Sequence, residues 1–222
     1  MARVTKGIGR AFSGRIDNIV FVSYGERTYV RTLPRERKPS EWSVDQKNHR
    51  QCFAVVMRYA SGIMNSFVKP IWNKAAIDTM SGINLFVKAN KQAFGTKGRV
   101  EDPSLLRFST GSLPLPSDMK VVMSPEGTNV IIATWKNQIT NPVRSLDRLM
   151  VVFYDTHELM KPIQTEFVRK DEQAMLNLPE NAGKEIWLYL FFGSADQTAY
   201  SNDHAFKLQS HDSNHPITND LN

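Results

Sequence analysis

Gly111-Ser112-Leu113-Pro114-Leu115-Pro116-Ser117-Asp118-Met119-Lys120-Val121-Val122-Met123 is the stretch on which the reading of this 222-residue chain turns. Upstream of it, apolar residues recur at helical spacing. Downstream, they fall into short β-type runs. Pro114 and Pro116 cannot continue a helix, so 114–116 reads as a domain boundary, closing a loop-rich junction over 96–117 that holds one short strand near 105–108.

Beyond the boundary, candidate strands occupy 119–123, 129–136, 148–154, 163–168, 174–178, 185–192 and 199–208. Turn signals separate them: Pro125-Glu126-Gly127, Asn141-Pro142, the run 179–183 and the run 193–196. About seven short strands at near-regular spacing predict an immunoglobulin- or fibronectin-type-III-like β-sandwich, with Trp135 and Tyr189 in its core. From His211 the chain is polar and is expected to fray.

Before the boundary, Phe53, Val56, Met57, Ala60, Ile63, Met64 and Phe67 form one apolar stripe at helical period. Ser43 and Gln46 fit a capping box ahead of it. Pro70 is expected to end this helix and open a second carrying Ile71, Trp72, Ala75, Ala76 and Met80. Ser81 caps a third with Ile83, Phe86, Val87 and Ala89, and Gly95 is placed at its left-handed C-terminus. Further upstream, Ile19-Val20-Phe21-Val22 and Thr28-Tyr29-Val30 read as a β-hairpin turning at Gly25-Glu26, with Phe21 and Tyr29 on its core side. The fold class is therefore α+β. A basic arm, hairpin and roughly three-helix domain spans 1–114, the sandwich 115–210, and a polar tail 211–222.

Hydrophobic residues make up 41% and charged residues 23%, the balance of a globular chain with an ample core. The single cysteine, Cys52, excludes an internal disulfide and leaves a thiolate zinc site without a second thiol. No apolar region follows the basic N-terminus and no run approaches the length of a membrane span, so a cytoplasmic protein without a membrane partner is expected. The net charge of +6 conceals an asymmetry. Residues 1–100 carry 18 Lys+Arg against 6 Asp+Glu, whereas residues 101–222 carry 10 against 16. Such a split points either to a polyanionic partner or to attraction between oppositely charged surfaces.

The run Gly7-Ile8-Gly9-Arg10-Ala11-Phe12-Ser13-Gly14-Arg15-Ile16-Asp17-Asn18-Ile19-Val20 resembles the opening of an uncharacterised bacterial family of unknown function. Tyr29-Val30-Arg31-Thr32-Leu33-Pro34 is similar to that family's second hairpin strand, and Gln46, Arg50 and Phe53 match its first helix. Two further blocks match, Met80-Ser81-Gly82-Ile83-Asn84-Leu85-Phe86-Val87-Lys88-Ala89-Asn90 and Gly111-Ser112-Leu113-Pro114. The resemblance implies the fold and no activity. Asp17 stands where that family carries Gly, and the hairpin tip lacks its Trp-Lys.

No residue pattern assembles a catalytic site, and no cofactor is implied. Gly7, Gly9 and Gly14 lack the third glycine and the preceding strand of a phosphate loop. His211 and His215 have metal-clamp spacing, but Asp212-Ser213-Asn214 between them and Pro216 directly after argue against the helix that such a clamp needs. Cys52 beside Phe53 reads as a buried thiol, and Asp171-Glu172 as a solvated turn. Ser109-Thr110-Gly111-Ser112 is the nearest approach to a nucleophile elbow without being one. What rises above background is the basic arm and hairpin, where Arg10, Arg15, Arg27, Arg31, Arg35, Arg37 and Lys38 are candidate polyanion-binding residues interleaved with Phe12, Phe21, Tyr24 and Tyr29. The expected function is a non-catalytic assembly or protein-interaction module, one version being a part derived from a phage or mobile element. Its partner is a protein or a second copy of the chain. The alternative is a nucleic-acid-binding protein acting through the arm and hairpin.

Overall fold

The computed structural model describes residues 2–4, 13–24, 27–36, 38–76, 80–95, 99–124, 129–138, 141–155, 162–179 and 185–209. Gly7, Gly9, Phe12, the turn Gly25-Glu26, His211 and His215 lie outside them. The chain divides into two compact units, Met1–Asn48 and His49–Asn222.

In the first unit, β1 (Ala2–Val4), β2 (Gly14–Ile16), β3 (Ile19–Tyr24) and β4 (Arg27–Thr32) form an antiparallel sheet in the order β1-β4-β3-β2. The hairpin read from the sequence is β3–β4. The flanking strands have three residues each, too few to show an alternation. Asp17 and Asn18 link β2 to β3, and Asp17 takes φ 51°. Two-residue hairpin turns favour positive φ, which a short polar Asp tolerates. The capping box forms as expected. Gln46 N donates to Ser43 Oγ and Ser43 N donates to Gln46 Oε1, both at 3.2 Å, at the start of α1 (Val44–Gly62).

In the second unit, α1 is followed by a π-helical segment, Met64–Trp72, then α2 (Asn73–Ala75) and α3 (Gly82–Asn90). Pro70 does not end a helix; it lies inside the π segment. The wider turn shows at its start, where Ile63 O accepts from Phe67 N at 3.0 Å and from Val68 N at 3.4 Å. A loosened turn relieves the clash between a proline ring and the carbonyl one α-turn back. Ser81 caps α3 as expected, its Oγ accepting from Asn84 N at 3.4 Å.

Three local expectations are corrected. Gly95 is not left-handed, because α3 gives way at Asn90 to a 3-10 turn, Lys91–Ala93. Phe53 is 44% exposed, since the packed face of α1 begins at Val56. Residues 105–108 are not a strand. Buried Asn90 accepts from Arg107 N at 2.7 Å and donates to Arg107 O at 3.0 Å, and Asp203 accepts from Phe108 N at 2.6 Å. Side chains thus satisfy the backbone groups that a neighbouring strand otherwise would.

Among the described residues the strands that follow are β5 (Ser117–Met123), β6 (Val130–Lys136), β7 (Arg148–Asp155), β8 (Ile163–Val168), β9 (Gln173–Asn177), β10 (Glu185–Gly193) and β11 (His204–Gln209). They make two antiparallel sheets, β5-β6-β9 and β11-β10-β7-β8. One core joins Ile131, Ala133, Trp135, Ala174 and Leu176 of the first to Leu149, Val151, Phe153, Leu188, Leu190 and Phe192 of the second. The arrangement is a β-sandwich.

A second core lies on the other face of the four-stranded sheet. Val152, Tyr154, Tyr189 and Phe191 pack there with Val56, Ala60, Phe67, Trp72 and Phe86 from the helices. Its centre is aromatic: Phe108 meets Tyr189 edge-on with centroids 4.7 Å apart, and Trp72 Nε1 donates to Phe108 O at 2.9 Å. Helices and sandwich therefore share apolar surface across 114–116, and the contact division falls at Asn48/His49 rather than at the prolines.

Candidate interaction surface

Strand register sorts the first unit's side chains onto two unlike faces. Directly opposed residues of an antiparallel pair project to the same side. One face carries the rows Tyr29–Val22 and Arg31–Val20–Arg15. The other carries Thr28–Ser23, Val30–Phe21–Gly14 and Thr32–Ile19–Ile16. Arg15 and Arg31 occupy the same face, and among the described side chains of the strands neither face holds an acidic residue. Arg15 and Arg31 flank Val20 two strand spacings apart, about 10 Å.

This division corrects one expectation. Phe21 pairs with Val30 and Tyr29 with Val22, so the two aromatics occupy opposite faces, Tyr29 among the arginines. The period-two spacing of Tyr29 and Arg31 was the available signal.

Of the candidate polyanion-binding residues, Arg15 and Arg31 are exposed on this face, and Arg15 Nε donates to Asp17 O at 2.8 Å. Arg27 pairs in backbone register with Tyr24 at the end of β3 and β4. Arg35 and Lys38 are exposed in the extended segment after β4, with Lys38 at the N-terminal cap of the 3-10 turn Pro39–Glu41. Arg10 and Arg37 lie outside the described residues. No ion pair with a carboxylate forms at Arg15, Arg31, Arg35 or Lys38 among the described residues.

The opposite face is neutral and incompletely covered: Ile16 is 54% and Ile19 44% exposed. Among the described residues of this unit only Thr28 is buried, and none belongs to either hydrophobic core.

The other residues singled out in the sequence do not converge. Cys52 is half-buried and its Sγ donates to Phe94 O at 3.4 Å. Asp171 and Glu172 serve the backbone, accepting from Val168 N at 2.8 Å and Asn137 N at 2.7 Å. Among the described residues no three His, Cys, Asp or Glu side chains gather as a metal ion needs, and no helix is long and apolar enough to cross a membrane.

No family model and no curated protein matches the chain. Among solved structures it is similar to the FN1–FN3 domains of chicken CNTN1, at 12% identity and a TM-score of 0.33 over 45% of this chain and 33% of that one. It is also similar to an fn3 domain of human contactin 1, at 9% identity and a TM-score of 0.31 over 50% of this chain and 88% of that one.

Proposed function

We propose that the chain is a non-catalytic assembly module of the cytoplasm, acting through its N-terminal sheet. The observation that carries this reading is the pairing of a neutral face that leaves Ile16 and Ile19 exposed with a face bearing Arg15 and Arg31, in a unit whose described residues join neither core. A sheet of this size needs one face covered by apolar surface to be stable. The cover is a protein surface, in the first instance a second copy of this chain. The arginine face then meets carboxylates, which residues 101–222 supply in excess. A structural part derived from a phage or mobile element is one form of such a module.

Tyr29 on the face of Arg15 and Arg31 favours a second reading, nucleic-acid binding, in which the guanidinium groups neutralise phosphates and the ring stacks on a base.

Sedimentation velocity over a range of concentrations, with fluorescence anisotropy on random single- and double-stranded oligonucleotides at low and near-physiological salt, separates the two. We expect a concentration-dependent oligomer that Ile16→Asp with Ile19→Asp dissolves, and no oligonucleotide binding at near-physiological salt. A protein that stays monomeric and binds oligonucleotide at micromolar concentration, losing that binding in an Arg15→Ala, Arg31→Ala, Arg35→Ala variant, replaces assembly with nucleic-acid recognition.

A further inference from the structure

A cleft of about 450 Å³ opens in the second unit where the helical segment meets the sandwich loops. Ile71 and Leu85 form its apolar floor, residues 110–112 one wall and residues 198–200 the other, and Lys74 stands beside Tyr200. The volume lies within the range of small-molecule sites, about 300–1,000 Å³.

The walls are built rather than merely left open. Gly111 is required: a Cβ there would lie 2.2 Å from Tyr200 O, so no larger residue lets the two segments approach. They are joined by Leu113 N donating to Tyr200 O at 3.0 Å. The loop 194–199 is fixed from within. Asp196 Oδ1 accepts from Ser194 Oγ at 2.6 Å, Thr198 Oγ1 at 2.8 Å and Thr198 N at 3.1 Å. Ser194 Oγ in turn accepts from Thr198 N and Ala199 N, both at 3.0 Å. These bonds hold Gln197 at φ 55°, a left-handed region that non-glycine residues seldom occupy and that clusters at ligand sites. The floor residue Ile71 belongs to the π-helical segment, a second irregularity frequent at functional sites.

The strained loop positions one cation. Lys74 Nζ donates to the Gln197 carbonyl and lies 5.6 Å from the centroid of the Tyr200 ring. An ammonium has three protons, and this contact uses one. No carboxylate pairs with Lys74 among the described residues, and Asp196 directs its Oδ1 into its own loop. An oriented cation, an aromatic ring and an apolar floor are thus set within one small cleft.

We propose that this cleft binds a small organic carboxylate bearing a compact apolar group. Lys74 takes the carboxylate, Ile71 and Leu85 take the apolar group, and the hydroxyls of Thr110, Ser112 and Thr198 line the rim.

The test is amide-resolved NMR titration of the full chain with phenylacetate and with its neutral isostere phenylacetamide. We expect phenylacetate to shift the Gly111, Ser112, Thr198 and Ala199 amides saturably, and phenylacetamide to bind about tenfold more weakly, the cost of one charge-assisted hydrogen bond. Lys74→Met should lower phenylacetate affinity by about the same factor and leave phenylacetamide unchanged, while Lys74→Arg should retain the preference. Absence of saturable shifts at these amides overturns the proposal. So does equal affinity for the two probes, or a Lys74→Met variant that still distinguishes them.

Discussion

Arg169→Ala is expected to lower the unfolding free energy by about 3–5 kcal/mol, close to the whole stability of many domains. Arg169 is 1% exposed, although it sits in the charged run Arg169-Lys170-Asp171. Its Nη2 donates to Pro114 O at 2.8 Å and to Asp147 Oδ2 at 3.4 Å. Its guanidinium lies 4.6 Å from the centroid of Phe192, which meets Trp135 edge-on at 5.4 Å. Trp135 closes the circuit, donating from Nε1 to Arg169 O at 2.7 Å.

The pair is costly as well as structural. Burial raises the Asp147 carboxyl pKa despite the attraction of Arg169 and Arg144, and burial lowers that of Arg169 despite Asp147. Desolvation outweighs attraction on both partners. Arg169 Nε is also buried without a hydrogen-bond partner. Removing Arg169 alone leaves a buried carboxylate and a cavity against Phe192. Removing both charges while keeping volume, as Arg169→Met with Asp147→Leu, should recover most of the loss. Urea unfolding at neutral pH measures both. A single variant within about 1 kcal/mol of the parent, or a double variant no better than the single, sinks this account.

The sandwich was legible because its strands obey a period of two. In β6, Ile131, Ala133 and Trp135 are buried while their neighbours are half-buried or exposed. The runs of β7 and β10 are different: Leu149 to Tyr154 and Leu188 to Phe192 are buried on both faces. An unbroken apolar run marks a strand covered on two sides, and here the second cover is the helical segment. Reading 114–116 as a division treated the prolines as separators, while those runs already required a layer on the outer face of the sheet.

The charged face of the N-terminal sheet was only half legible. Tyr29 and Arg31 alternate within one strand, but the position of Arg15 depends on pairing with β3, which local sequence does not encode. Asn90, Asp147, Arg169 and Asp203 were invisible for a related reason. Each is a polar residue in a polar or amphipathic stretch, buried because a distant segment needs it: Asn90, Arg169 and Asp203 bond distant backbone, and Asp147 meets the Arg169 guanidinium.

Asp203→Asn should abolish a decline in stability that the parent shows as pH rises from about 4 to about 6. The Asp203 carboxyl is buried, accepts from Phe108 N at 2.6 Å through Oδ2, and has no partner for Oδ1. Burial pushes its pKa from 3.8 up to about 6, with the Phe108 N–H and Arg107 opposing. The folded state therefore holds this proton more tightly than the unfolded chain. The stabilisation is fully present below the unfolded pKa and is lost as pH rises through the folded value. A two-unit displacement corresponds to a loss on the order of 3 kcal/mol by pH 7. Asp147, also raised by burial, contributes in the same direction, whereas Asp196, lowered to about 2 by the Ser194 and Thr198 hydrogen bonds, contributes in the opposite one. The informative quantity is thus the parent-minus-variant difference at each pH. Asparagine keeps an oxygen to accept from Phe108 N and never ionises, so the difference should move against the parent by on the order of 3 kcal/mol between pH 4 and pH 7. Urea midpoints at four pH values across that window measure it. Parallel curves for the two proteins would mean that Asp203 ionises in the fold as freely as in the unfolded chain, and that its burial against Phe108 is wrong.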